Sequence, residues 1–239
     1  MPHTFGGKKV REPGAQRRKI AKIAAAAIVA IIAGAGSYIY ISNAYISNQG
    51  STTRESASCT TTSGTAVLGS PGTYAKINTS LGCIEVQLFP SSAPKTVANF
   101  VNLSKSGFYN NLVWHRIEPG FVIQTGDPTT KNGGGNRSSW GTKGSNQTVP
   151  LELDKSLHNI AGYLGMARGA DNNSGSSQFY INLANNTASL DGRYTVFGKV
   201  INGMSVVQAI GSVQVEQVGG QHEPVTPVYV TGITIQNTP

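Results

Sequence analysis

"WHRIEPGFVIQTGDP", residues 114–128, decides how this chain is read. The run gives two short strands, within 112–117 and 120–125, meeting at Pro119-Gly120, a dipeptide that pre-sets a tight turn. Arg116 stands among apolar residues in the first strand, with Glu118 as its acidic neighbour. No Ser/His/Asp set and no metal-binding cluster lies nearby. A guanidinium stays charged at any working pH, so it is a poor acid or base but a rigid hydrogen-bond donor.

Working outward, "TYAKINT" (73–79) and "CIEVQLF" (83–89) alternate apolar and polar residues around Ser80-Leu81-Gly82 and predict a hairpin. "SSAPKTVANFVNLSKSG" (91–107) predicts a helix. Pro94 suits its first turn, Val97, Phe100, Val101 and Ser104 share one face, and Gly107 suits its stop. Further strands are predicted over 162–168, 178–183 and 194–200, a short helix over 203–211, and a closing strand over 227–236. A Gly-, Asn- and Ser-rich loop fills 126–148. Eight or so short strands with two helices imply a mainly β fold: a closed eight-stranded antiparallel β-barrel capped by two α-helices.

The chain has 239 residues, 38% hydrophobic and 13% charged, enough for one sizeable core. Its net charge of +8 suggests nucleic acid until its distribution is examined. Seven of the cations, against Glu12, lie in residues 1–22, which leaves little excess on the rest. A nucleic-acid-binding domain carries its basic footprint on the folded part, so no nucleic-acid partner is expected. The run "IAAAAIVAIIAGAGSYIYI", residues 23–41, has no charge. As a helix it would span about 28 Å, close to a bilayer's hydrocarbon core. Tyr38, Tyr40 and Tyr45 fall where an interfacial aromatic belt would sit, and the preceding cations orient that end to the cytoplasm. Residues 1–22 therefore read as a basic cytoplasmic segment, 23–45 as a single transmembrane helix or signal-anchor, and 46–70 as a Ser/Thr-rich linker. Residues 71–239 form an extracytoplasmic domain, expected to be monomeric. The rival reading is a signal peptide cleaved after Ala33-Gly34-Ala35, giving a secreted protein.

Two cysteines and four scattered histidines show no zinc-ligand spacing, "NGGGN" lacks the Lys-Ser/Thr of a phosphate loop, and there is no Gly-x-Ser-x-Gly elbow. No metal and no cofactor are expected. Outside the cytoplasm, Cys59 and Cys83 become a candidate disulfide joining the linker to the first hairpin.

Three blocks together resemble the cyclophilins, which are peptidyl-prolyl cis–trans isomerases. They are "APKTVANFVNLSKSGFYNNLVWHRIEPGFVIQTGDP", "LGMARGADNNSGSSQFYINL" and "LDGRYTVFGKVINGM". The resemblance covers about residues 73–237, and the middle block is similar to exported bacterial members. It implies rotation about X-Pro bonds in exported or surface proteins, with proline-containing polypeptides as partners. The resemblance makes Arg116 the catalytic donor and Gln124 the side chain that holds it. It gives Phe121, Val122, Tyr180 and Leu190 to the proline-ring pocket, and Ala167, Arg168 and Gln178 to the adjoining groove. Tyr194 stands where eukaryotic members carry histidine. Val122 replaces a usual methionine, Tyr180 a usual phenylalanine and Ser189 a usual tryptophan, which implies weak cyclosporin binding. The competing reading is a tethered proline-peptide binder or chaperone whose isomerase activity is incidental.

Overall fold

The computed structural model describes residues 73–237. The basic segment, the apolar run, the linker and Cys59 lie outside the described residues. No helix among the described residues is long and apolar enough to cross a membrane.

The predicted first hairpin forms as β1 (Tyr74–Thr79) and β2 (Gly82–Leu88). Burial alternates strictly along β2, as its sequence alternates. The Thr79 hydroxyl donates to the Gly82 carbonyl at 2.7 Å and accepts from the Leu81 amide at 3.1 Å, closing the turn. Helix α1 (Pro94–Lys105) has proline in its first turn and buries Val97 and Phe100. Its first free amides are capped from afar: Lys95 and Thr96 N–H donate to the two Glu152 oxygens at 3.0 and 2.8 Å.

The predicted strand 112–117 divides into β3 (Leu112–Val113) and β4 (Arg116–Glu118), followed by β5 (Val122–Thr125). Next come β6 (Tyr163–Met166), β7 (Phe179–Asn182), the single-turn helix α2 (Thr187–Leu190) and β8 (Val196–Asn202). Helix α3 (Met204–Gly211), the hairpin β9 (Val215–Val218) and β10 (Gln221–Pro224), and β11 (Tyr229–Gln236) complete the domain.

Nine strands, not the expected eight, form one antiparallel sheet in the order β3-β11-β1-β2-β8-β6-β7-β5-β4. The hairpin β9–β10 is a separate two-stranded sheet. The two edge strands, β3 and β4, have no ladder with each other, so hydrogen bonds do not close the barrel as expected. The chain closes it instead. Only Trp114 and His115 separate β3 from β4, and three Cα steps span at most about 11 Å. The sheet must therefore curl until its edges meet. Both joining residues are fully buried at the crossing between the two edges, where the predicted strand divides. Side chains stitch the seam: the Thr125 hydroxyl donates to the Val113 carbonyl at 2.8 Å, and Val113 N–H donates to the Thr130 hydroxyl at 3.1 Å.

Inside, Phe179 meets Phe100, Tyr109, Trp114 and Phe197 at centroid distances of 5.4–6.3 Å, all close to edge-on. Helix α3 touches β2, β4 and β5, strands from both halves of the sheet order, and so lies across an open end of the barrel.

Candidate functional site

The register of four strands builds the site. Arg116 of β4 lies opposite Gln124 of β5, which lies opposite Tyr180 of β7, which lies opposite Gly165 of β6. Residues directly opposite in an antiparallel sheet share a face. Arg116, Gln124, Tyr180 and Gly165 thus form one row on the barrel's outer face. The neighbouring row, Ile117–Ile123–Ile181–Leu164, points inward and is fully buried.

The Pro119-Gly120 turn places Phe121 beside this row. Gly120 adopts φ +73°, a conformation that favours glycine, and Phe121 N–H donates back to the Glu118 carbonyl at 2.9 Å. Val122, Tyr180 and Leu190 form a small buried apolar cluster separate from the barrel core, flanked by Phe121, Ala167 and Tyr194. Together with Arg116, Gln124 and Arg168 they line one cavity of about 340 Å³. Gln178, the tenth residue expected at the site, lines the adjoining groove of about 220 Å³ with Gly141, Lys143 and Gly144. Ser189 is exposed on α2 and does not line the cavity. Another cavity of about 270 Å³, bounded by Leu153, Leu157 and Val196, shares only Tyr194 with the first and holds no guanidinium.

Arg116 is half-buried. Its Nε pairs with Glu118 Oε1 at 3.3 Å, its Nη1 lies 3.5 Å from Gln124 Oε1, and its Cζ stands 5.9 Å from the Phe121 ring centre. Its Nη2 has no protein partner among the described residues. Gln124 donates to Gln178 Oε1 at 2.8 Å, and Gln178 donates to the carbonyls of Gly141 and Lys143 at 2.8 and 2.7 Å. Opposite, Arg168 lies over the Tyr194 ring at 5.1 Å and donates to the Arg193 carbonyl at 2.9 Å, so it serves as a wall.

Tyr180 is tied down beneath the pocket. Its hydroxyl donates to Asn159 Oδ1 at 2.7 Å, and Asn159 donates through N and Nδ2 to Asp191 Oδ1 at 2.8 and 3.0 Å. Burial, with Tyr194 and Asp191 nearby, raises the Tyr180 phenol above its ordinary range, so it stays a neutral donor. Burial also acts to raise the Asp191 carboxyl, but hydrogen bonds from Asn159 and His158 outweigh it and hold the group below its usual value. A methyl at Gly165 would overlap the Tyr180 ring. Sequence reasoning missed Asn159 and His222 because they lie far along the chain from the residues they hold, with no motif marking either.

His115 is not a surface base. It is fully buried at the seam, and burial pushes its pKa down to about 4, with Asp127 opposing. Val113 and Gln178 lie close to it, but neither ring nitrogen has a partner at hydrogen-bonding distance and angle. Among the described residues, no group of three or more His, Cys, Asp or Glu is placed to hold a metal ion.

The molecule is thus a nine-stranded curled antiparallel sheet with an arginine-rimmed apolar pocket on its outer face. The family model described as cyclophilin type peptidyl-prolyl cis-trans isomerase/CLD matches residues 74–235. Peptidyl-prolyl cis-trans isomerase A of Dickeya dadantii is 39% identical over 175 residues, covering 71% of this chain and 88% of that one. Peptidyl-prolyl cis-trans isomerase-like 1 of Aspergillus oryzae is 42% identical over 153 residues, covering 64% and 89%. A crystal structure of a cyclophilin type peptidyl-prolyl cis-trans isomerase from Cryptosporidium parvum superposes with a TM-score of 0.59 at 31% identity, covering 70% of this chain and 99% of that one. A second structure of that protein, determined in the presence of the dipeptide Ala-Pro, gives 0.59 at 30% identity, covering 68% and 98%. The chain belongs to the cyclophilin-type peptidyl-prolyl cis–trans isomerases. It is an enzyme that accelerates rotation about X-Pro bonds.

Proposed function

We propose that Arg116 is the electrostatic catalyst, that the pocket beside it takes the proline ring of a polypeptide, and that the domain works outside the cytoplasm as a monomer on a membrane tether. The observation that carries the catalytic part is the row Arg116–Gln124–Tyr180. It sets a fixed cation at the rim of an apolar pocket whose floor is Val122, Tyr180 and Leu190.

Rotation about X-Pro is opposed by amide resonance, with a barrier of about 18–20 kcal/mol. No proton must be removed and no covalent intermediate is needed. When the amide twists, its nitrogen lone pair leaves conjugation and becomes a hydrogen-bond acceptor. A guanidinium N–H aimed at that nitrogen, or at the rotating carbonyl, binds the twisted state better than either planar isomer. The unpartnered Nη2 is the group free to do so. An acceleration of about 10⁵ requires roughly 7 kcal/mol. One donor does not supply that alone; the apolar pocket holds the ring still while the rest of the chain turns, which supplies orientation. Gln124, braced by Gln178, presents its Oε1 to the guanidinium from the pocket side.

The test is a proline-peptide isomerisation assay on the full chain. Arg116→Ala should lower kcat/KM by about 10²–10³ with the fold intact by circular dichroism. Arg116→Lys should rescue poorly, because an ammonium lacks the planar fork. Undiminished turnover in Arg116→Ala would falsify the role.

Localisation rests on the charge pattern of residues 1–45. Full-length protein should remain with membranes after carbonate washing, and protease added to intact cells should remove the isomerase domain. A mature N-terminus at Gly36 would replace the anchor with a secreted enzyme. A Cys59–Cys83 bond would fix the linker to β2. Mass spectrometry without reduction should recover the two peptides joined, and alkylation of both thiols in exported protein would refute it.

A further inference from the structure

We propose that Glu118 and His222 are positioning residues for Arg116, an inference that rests on Arg116 being the catalytic donor. On the pocket side, the grip on the guanidinium is loose. The Nη1 to Gln124 Oε1 separation of 3.5 Å is at the outer limit of a hydrogen bond. On the other side, Nε meets Glu118 at 3.3 Å. A half-exposed carboxylate alone would hold an arginine weakly, because both side chains can swing into water.

Glu118 is not alone. Its second oxygen lies 2.6 Å from His222 Nδ1, and His222 Nε2 lies 3.0 Å from the Gln217 amide nitrogen. A carboxylate only accepts and an amide NH2 only donates. The neutral imidazole with its proton on Nδ1 satisfies both ends at once. Gln217 and His222 are opposite residues of the β9–β10 hairpin, which lies against β4. The hairpin is itself fastened to the 126–148 loop: Arg137 pairs with Glu216 at 2.7 Å and with the buried Glu223 at 2.9 Å. A relay thus runs from a braced hairpin through His222 and Glu118 to Nε. It anchors the guanidinium at its Nε end, with Nη2 left for the substrate.

Two effects of Glu118 oppose each other. Its charge weakens the field of Arg116, and its contact fixes the guanidinium in place. Both groups are partly exposed, so water screens the first effect. Orientation is not screened, and small misplacements of a catalytic group are expensive in rate. Position therefore wins, and removal of Glu118 slows the enzyme.

The experiment measures kcat and KM on the full chain with an Ala-Pro-containing tetrapeptide. Glu118→Ala is expected to lower kcat about ten-fold, within the range for residues coupled in one network, with KM nearly unchanged. His222→Phe is expected to give a smaller loss of the same kind. His222→Asn should recover most of it, since its amide can donate to Glu118 from the place of Nδ1. In an Arg116→Lys background, Glu118→Ala should add no further loss. The inference is overturned if Glu118→Ala keeps full kcat while Arg116→Ala is impaired, or if Glu118→Ala loses as much in the Arg116→Lys background as in the parent. If Arg116→Ala is itself unimpaired, the assignment of Arg116 fails, and this inference with it.

Discussion

The two faces of β4, β5, β6 and β7 make the most instructive contrast in the molecule. Inward, Ile117, Ile123, Ile181 and Leu164 form a row of aliphatic side chains. Outward, one residue along each strand, Arg116, Gln124, Tyr180 and Gly165 form a row of four unlike side chains. The inner row needs volume and apolarity, and similar residues can substitute for one another there. The outer row needs particular neighbours. Gly165 must lack a Cβ because Tyr180 lies over it, and Tyr180 reaches that far because Asn159 takes its hydroxyl. Packing tolerates exchange; a site built from reciprocal fits does not.

Adjacent substitutions should separate the faces most widely. Arg116→Ala is expected to cut kcat/KM by about 10²–10³ and leave the urea midpoint near the parent value. Ile117→Ala should do the reverse, destabilising by about 2–5 kcal/mol while the folded fraction keeps its turnover. If each variant lost both properties, the division between faces would fail.

His115 belongs to neither face, and its titration sharpens the contrast. Its folded pKa of about 4 lies below the ordinary 6.5. As pH falls, the unfolded chain takes up the proton first, so stability declines from about pH 6.5 and levels off near pH 4. The loss expected from this one group is roughly 3 kcal/mol. Urea titrations at pH 7 and pH 4 measure it, and His115→Gln should flatten the slope. An equal slope in that variant would assign the acid sensitivity elsewhere.

Smaller effects probe the fit within the outer row. Gly165→Ala should displace the Tyr180 ring, costing about 1–3 kcal/mol and reducing turnover; adding Tyr180→Phe should recover part of both. Parent-like behaviour in Gly165→Ala would mean the ring can move aside freely. Tyr180→Phe alone should cost about 1 kcal/mol, the usual net worth of one hydrogen bond, with turnover little changed. A large loss of turnover would show that the hydroxyl acts on the substrate.

What the sequence revealed divides along the same lines. The Pro94 start of α1 and the alternation of the first hairpin are local signals, and both were readable. Nine of the ten residues expected at the site line one cavity, because the quoted blocks are the strands that carry the outer row. The seam was not readable. Trp114 and His115 continue an apolar run, and nothing local says that the run crosses between the edges of the sheet. The pairing of Glu118 with His222 spans 104 positions. The β9–β10 hairpin shows little burial along β9, so alternation was weak, although Gly219-Gly220 marked its turn.

The strand order also sets a timetable for synthesis. Tyr74 pairs with Gln236, and β3 has no ladder partner in the sheet except β11. At about 5–20 residues per second, the ribosome needs roughly 8–30 s to pass from the first strand to the last. Throughout that interval β1 has only β2 beside it, β3 waits unpaired, and the barrel cannot close. This enzyme, whose reaction removes proline-limited delays from other chains, must keep its own opening strand half-partnered until β11 has been made.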